Sequence, residues 1–174
     1  MKENFHNAFE HVIKSEGGYV NDPHDHGGET NLGVTKKAWA DYIGREVQPG
    51  EMKALTKEVV EPFYKRNYWD KCHCDELPAG LDYAVFDFAV NAGPGRAAKF
   101  LQQAVGVTAD GAIGPGTLAA VQKVEPKHAL ANFSKAKEHF YHGLVERDPS
   151  QAKFIKGWLA RVDHVQSVAD TMLA

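Results

Sequence analysis

Residues 16 to 35 read Glu-Gly-Gly-Tyr-Val-Asn-Asp-Pro-His-Asp-His-Gly-Gly-Glu-Thr-Asn-Leu-Gly-Val-Thr. From Val20 to Val34 the stretch is too rich in Gly, Asp, Asn and His for a helix, and it reads as a loop with a short hairpin. A helix precedes it. Phe5, Ala8, Phe9, Val12 and Ile13 recur at i, i+3, i+4, i+7 and i+8, which makes one stripe apolar and the opposite face polar. Gly17 and Gly18 are expected to close that helix in the left-handed conformation, placing Glu16 in its final turn against buried surface. A second helix follows, N-capped by Thr35, running through Ala38, Trp39 and Tyr42 and closed by Gly44.

Further along, the chain stays helical. A short turn is expected around Glu51 to Leu55, then a helix from Thr56 towards Trp69 with Pro62 inside it, where a kink or restart is expected. After Pro78 a periodic segment sets Leu81, Ala84, Val85, Phe88 and Ala89 on one face, and Gly93-Pro94 ends it. Ala97 to Val105 and Thr117 to Lys123 flank a turn-rich stretch containing Asp110-Gly111 and Gly114-Pro115-Gly116. Pro126 opens a long helix broken at Asp148-Pro149, and a last helix carries Phe154, Ile155, Trp158, Leu159, Val162 and Val165. Period-two alternation is scarce, so the class is mainly α.

The 174 residues are on the scale of one domain, 43% hydrophobic and 25% charged, which suffices for a proper core. A net charge of −3 gives no electrostatic reason to expect nucleic acid. No apolar run approaches the roughly 20 residues that cross a bilayer, and the N-terminus lacks the apolar centre of a secretory signal. Synthesis and folding in the cytoplasm are therefore expected. From Glu125 to Ala174 seven Lys or Arg face six acids, a balance that favours packing onto the domain over stable membrane insertion. Cys72 and Cys74 flank His73 too closely for an unstrained bridge and read as two reduced thiols. His24 and His26 with Asp22 and Asp25 lack the alternation and the closing Glu of a calcium loop, so no metal and no cofactor are expected.

Three segments, Glu16-Gly17-Gly18-Tyr19, Asn21-Asp22-Pro23 and Gly27-Gly28-Glu29-Thr30-Asn31-Leu32-Gly33-Val34-Thr35, together resemble glycoside hydrolase family 108, the N-acetylmuramidase endolysins of phages and prophages. Asp82 to Gly93 is similar to that family's middle helix. Phe100-Leu101-Gln102-Gln103, Asp110-Gly111-Ala112-Ile113-Gly114-Pro115 and Thr117 resemble its peptidoglycan-binding segment. The resemblance covers roughly residues 5 to 165. It implies a lysozyme-like helical fold with a short β-hairpin or loop after the first helix. Residues 1–95 would form the catalytic region and 96–174 a helical peptidoglycan-binding region packed on it. The implied partner is the glycan strand of peptidoglycan, the implied reaction hydrolysis of the β-1,4 bond between N-acetylmuramic acid and N-acetylglucosamine. The implied role is lysis of a host cell by a monomer that reaches the wall through a holin pore. Lytic transglycosylation of the same bond and non-catalytic wall binding are the alternatives.

Glycoside cleavage needs one carboxylic acid to protonate the leaving oxygen and a second carboxylate to activate water or stabilise the cation. The resemblance assigns the acid to Glu16, and packing against the first helix would help it keep its proton. By analogy with phage lysozymes it assigns Asp25 and Thr30 to the second carboxylate and the water-holding hydroxyl. Asp22 is the other candidate for the aspartate, grouped here with the substrate-binding residues. Inside Asn-Asp-Pro it also reads as a turn residue. Sugar rings call for aromatic faces and amides, and Tyr19, Tyr64, Tyr68, Trp69 and Asn91 are the lining candidates, with Tyr68 and Trp69 divided between cleft and core. An inverting outcome is implied by the resemblance alone.

Overall fold

The computed structural model describes residues 1–22 and 28–173. These residues form eight α-helices and one small antiparallel sheet, a mainly α, lysozyme-like fold. No described helix is long and apolar enough to cross a membrane. The chain divides into two compact units, a smaller one of His6–Asn67 and a larger one of Met1–Phe5 with Tyr68–Ala174.

In the smaller unit, α1 (Phe5–Ile13) buries Ala8, Phe9, Val12 and Ile13, the stripe its periodicity predicts. Burial of side chains this size contributes about 1.5–3 kcal/mol each. Past Ile13 the chain makes tighter turns, Ser15 N–H to Val12 O at 3.0 Å and Glu16 N–H to Ile13 O at 3.1 Å. Neither Gly17 nor Gly18 has positive φ, which corrects the expected left-handed closure. The helix unwinds through i→i+3 bonds, and Glu16 stands in the turn beyond its end.

Strands β1 (Val20–Asn21), β2 (Glu29–Asn31) and β3 (Val34–Thr35) follow, paired antiparallel in that order. Asn31 is the buried polar residue of this sheet, and its amide donates to Met52 O at 2.8 Å. Thr35 caps α2 (Lys36–Ile43) by accepting from Ala38 N–H at 3.1 Å, and left-handed Gly44 closes it. Thr56 caps α3 (Lys57–Tyr64), which contains Pro62 and runs into a π-helical turn, Lys65–Trp69. That turn is the form taken by the expected disturbance, because a proline without N–H loosens the ladder around it. Phe9 packs on Tyr64, and Trp39, Tyr42 and Phe63 close around one another at ring separations of 5.3 to 6.0 Å.

The larger unit is built on α4 (Leu81–Ala92). Every residue from Leu81 to Ala89 is buried, polar Asp82 and Asp87 included, so the single apolar face read from sequence is a helix enclosed on all sides. The enclosed carboxylates are partnered. Asp82 accepts from the Asn4 amide and the Gly80 and Tyr83 N–H groups and pairs with the Met1 ammonium, and Asp87 accepts from Arg161 at 2.8 Å. Against it pack α5 (Pro94–Ala104), α7 (Pro126–Arg147) and α8 (Ala152–Met172), and α6 (Pro115–Lys123) follows α5 in the chain. Phe88 stacks on Phe100 at 5.2 Å and meets Phe133, Phe140 and Tyr141 edge-on. The Asp-Gly-x-x-Gly-Pro motif is knitted here by Gln102, whose amide donates to Asp110, Ala112 O and Thr117 and whose oxygen accepts from Gly111 N–H. Cys72 and Cys74 are free, buried thiols; burial pushes Cys72 up to about 12 and Cys74 well above its ordinary value, so neither is a nucleophile.

Lys137 on α7 is 2% exposed, its ammonium 5.2 Å from the Phe133 ring centre and 5.8 Å from that of Phe88. Burial pulls this amine from 10.5 down to about 8 against the attraction of Asp87. Across that window the unfolded chain holds more protons than the folded one, so stability rises with pH there, and the buried charge weighs fully below it. Lys137→Met is expected to stabilise the protein near neutrality by about 1–4 kcal/mol. Thermal melts at stepped pH should show the gap to the parent closing as pH climbs through the window.

Candidate active site

The site is assembled around a two-residue hairpin. Asn31 pairs with Val34, so Leu32 and Gly33 alone connect β2 to β3. Their φ values of 52° and 78° make the doubly left-handed turn that suits the twist of paired strands. Glycine takes this conformation freely; a leucine there is strained by about 1–2 kcal/mol. Tyr64 offsets the strain, its hydroxyl donating to Leu32 O at 2.6 Å. Tyr64 itself is 1% exposed and held from below by Phe9.

Glu16 comes to the same place from the turn after α1. The point a β-carbon on Gly33 would occupy lies 2.7 Å from Glu16 Oε2 and 2.5 Å from Tyr64 Oη. Three segments distant in sequence thus converge on one backbone position that has room for hydrogen only. Glu16 is half-buried, with one side against protein and one open to solvent. Sequence reasoning missed Gly33. The available signal was a Leu-Gly pair between two short extended runs, a hairpin spacing.

Thr30 lies at the middle of β2, opposite Val20 on one side and Thr35 on the other. Because side chains alternate along a strand, its hydroxyl emerges on the face opposite buried Asn31. Tyr19, half-buried, donates its hydroxyl to Glu29 at 2.6 Å, and that bond is the first cause raising the phenol above its ordinary value. Lys36 pairs with the same Glu29 at 3.6 Å. Asp22 is exposed, directly after β1. Asp25, with His24 and His26, lies outside the described residues. Among the described residues no group of three or more His, Cys, Asp or Glu is placed to hold a metal.

The remaining lining candidates divide. Tyr64 serves through its hydroxyl at the base of the turn, since its ring is enclosed and offers no face to a sugar. Trp69 is wholly buried in the larger unit, its indole N–H donated to Asp75 at 2.8 Å and its ring against Phe5 and Phe86. It is a core residue, which corrects its place among the sugar-lining side chains. Tyr68 is half-buried in the π-helical turn. Asn91 is exposed near the end of α4 and donates to the Tyr141 hydroxyl at 2.8 Å.

Comparison with known proteins bears on the chain as a whole. The family model described as glycosyl hydrolase 108 matches residues 9–93, and that of a predicted peptidoglycan domain matches residues 96–163. Among solved structures, that of Brucella abortus SagA superposes with a TM-score of 0.86 at 43% sequence identity, covering 99% of this chain and 97% of that one. No curated protein matches the chain.

Proposed function

The chain belongs to the glycosyl hydrolase 108 family, a glycoside hydrolase of bacterial peptidoglycan, and from that premise we propose that it hydrolyses the β-1,4 bond between N-acetylmuramic acid and N-acetylglucosamine with Glu16 as general acid. The observation that carries the reading is the convergence of Glu16, Gly33 and Tyr64. It leaves a carboxyl fixed at the edge of solvent, against a turn that nothing larger than glycine fits. In this reading Glu16 acts as the carboxylic acid. A proton donor for the leaving oxygen needs that form.

The second carboxylate in this reading is Asp25, with Asp22 as the competing assignment. The Thr30 hydroxyl, on the sheet face away from Asn31, would hold the attacking water. An inverting outcome needs the two carboxyls about 6.5–9.5 Å apart. Within the same proposal the enzyme acts as a monomeric endolysin, reaches the wall through a holin pore and lyses the host cell. Digestion of purified sacculi followed by mass spectrometry of the fragments tests the bond and the reaction together. Reducing N-acetylmuramic acid ends are expected. Ends closed as 1,6-anhydromuramic acid would replace hydrolysis by lytic transglycosylation, and retained binding without soluble fragments would leave only a wall-binding protein.

A further inference from the structure

Along α7, residues Lys135, His139, Gly143 and Arg147 repeat every fourth position and so form one row on the helix surface. Beside this row, between α7 and α5, the larger unit carries a groove of about 530 Å³. Its floor is apolar, Phe100 from α5 meeting Phe140 from α7 at 5.7 Å. Its walls bring two amides, Gln103 and Asn132, and the nitrogen-bearing side chains of Lys135, His139 and Arg147. None of the lining residues is acidic, in a chain whose net charge is −3. Gly143 leaves a notch in the wall. A β-carbon there would find only Arg147 Nη2, at 3.9 Å, so the guanidinium folds back over the opening. Arg96 lies 4.5 Å over the outer ring, Phe140, and adds a cation at the edge.

We propose that this groove binds the acidic peptide stems of peptidoglycan. The inference rests on the reading of the chain as a peptidoglycan hydrolase and extends it from the sugar bond to the peptides attached beside that bond. Alternating N-acetylated sugars offer amides and hydroxyls but no fixed negative charge; the stems that hang from the lactyl groups carry free carboxylates. A guanidinium fork and an ammonium recognise carboxylates. Side-chain amides match peptide N–H and C=O groups; Asn132 gives a hydrogen to Ala104 O and keeps its carbonyl oxygen as an acceptor. The apolar floor suits the methyl and methylene groups of short stem residues, and the volume is that of a site for a few residues. The whole groove falls within residues 96–163, the segment matched as a predicted peptidoglycan domain.

The test is binding in a Glu16→Gln background, so that the wall is not consumed. Cosedimentation is measured with bead-coupled intact sacculi and with bead-coupled glycan strands freed of stems by an amidase that cuts the lactyl–alanine bond, because removal of the cross-linked stems dissolves the sacculus. Stripping should weaken binding at least tenfold, and Gly143→Glu should bring binding to intact sacculi down to the stripped level. Gly143→Glu fills the notch, sets a carboxylate beside Arg147 and replaces a helix-interior glycine by a better helix former, so it should melt no lower than its parent. Should it fail to fold, Lys135→Glu with Arg147→Glu, both at exposed positions, gives the same reading. Equal binding to intact and stripped walls, or undiminished binding by these variants, overturns the proposal. Release of glycan fragments from intact sacculi by the unmodified enzyme is measured separately. Its failure would remove the glycosidase reading, while stem-dependent binding would still be scored by sedimentation.

Discussion

Glu16→Gln is expected to lower the rate of peptidoglycan clearing by at least about 10²–10⁴-fold, the range in which a general acid contributes, while leaving the melting temperature where it was. Glutamine keeps the length, planarity and one hydrogen-bonding oxygen of the carboxyl, so the contacts near Gly33 and Tyr64 persist. What it cannot do is hand a proton to a leaving sugar oxygen. A role for Glu16 in merely supporting the Leu32–Gly33 turn would leave the rate nearly intact, and turbidity loss with a sacculus suspension separates the two cases. The same assay assigns the second carboxylate. Asp25→Asn should cost a comparable factor and Asp22→Asn much less. The opposite order would move the base to the residue directly after β1.

The features legible in the sequence are those governed by neighbours in the chain. Thr35 caps α2 because a hydroxyl three residues before a free N–H satisfies it, whatever the rest of the protein does. Gly44 closes α2 for an equally local reason. The apolar stripe of α1 is a periodicity, and it held as one. Glu16 is singled out by its neighbours in the sequence and by the resemblance they carry. Its surroundings are not, because Gly33 and Tyr64 reach it only through the folded unit. The same limit explains Trp69. A tryptophan in a half-apolar run reads alike whether it faces a cleft or a core, and its assignment to the core depends on Phe5, Phe86 and Asp75 arriving from elsewhere. In α4, periodicity named one buried face, yet Asp82 and Asp87 are enclosed too, because partners from outside the helix satisfy them. Polar residues on a helix mark a solvent face only when nothing distant comes to meet them.

Gly33→Ala should be nearly as damaging to activity as the loss of the acid itself, by about 10²-fold or more, with a smaller effect on stability. Two independent reasons add. At φ 78° an alanine sits in the left-handed region, at about 1–2 kcal/mol. Its β-carbon would also stand 2.5 Å from Tyr64 Oη and 2.7 Å from Glu16 Oε2, closer than real contacts allow, so one neighbour must move. Tyr64 is enclosed and tethered to Leu32 O, whereas Glu16 has solvent on one side, so the carboxyl yields. Displacing a reacting group by an ångström costs about 10²-fold when geometry is tuned for transfer. Tyr64→Phe supplies the control. It removes one of the two clashing oxygens and leaves Leu32 O without its donor, at about 1–3 kcal/mol of stability. Combined with Gly33→Ala it should therefore recover part of the lost rate even as the melting temperature falls further, a non-additivity expected of groups that share one contact. If Gly33→Ala instead lowers only the melting temperature and kcat stands, the carboxyl is not held by this turn. The convergence of three segments on Gly33 would then be packing and nothing more.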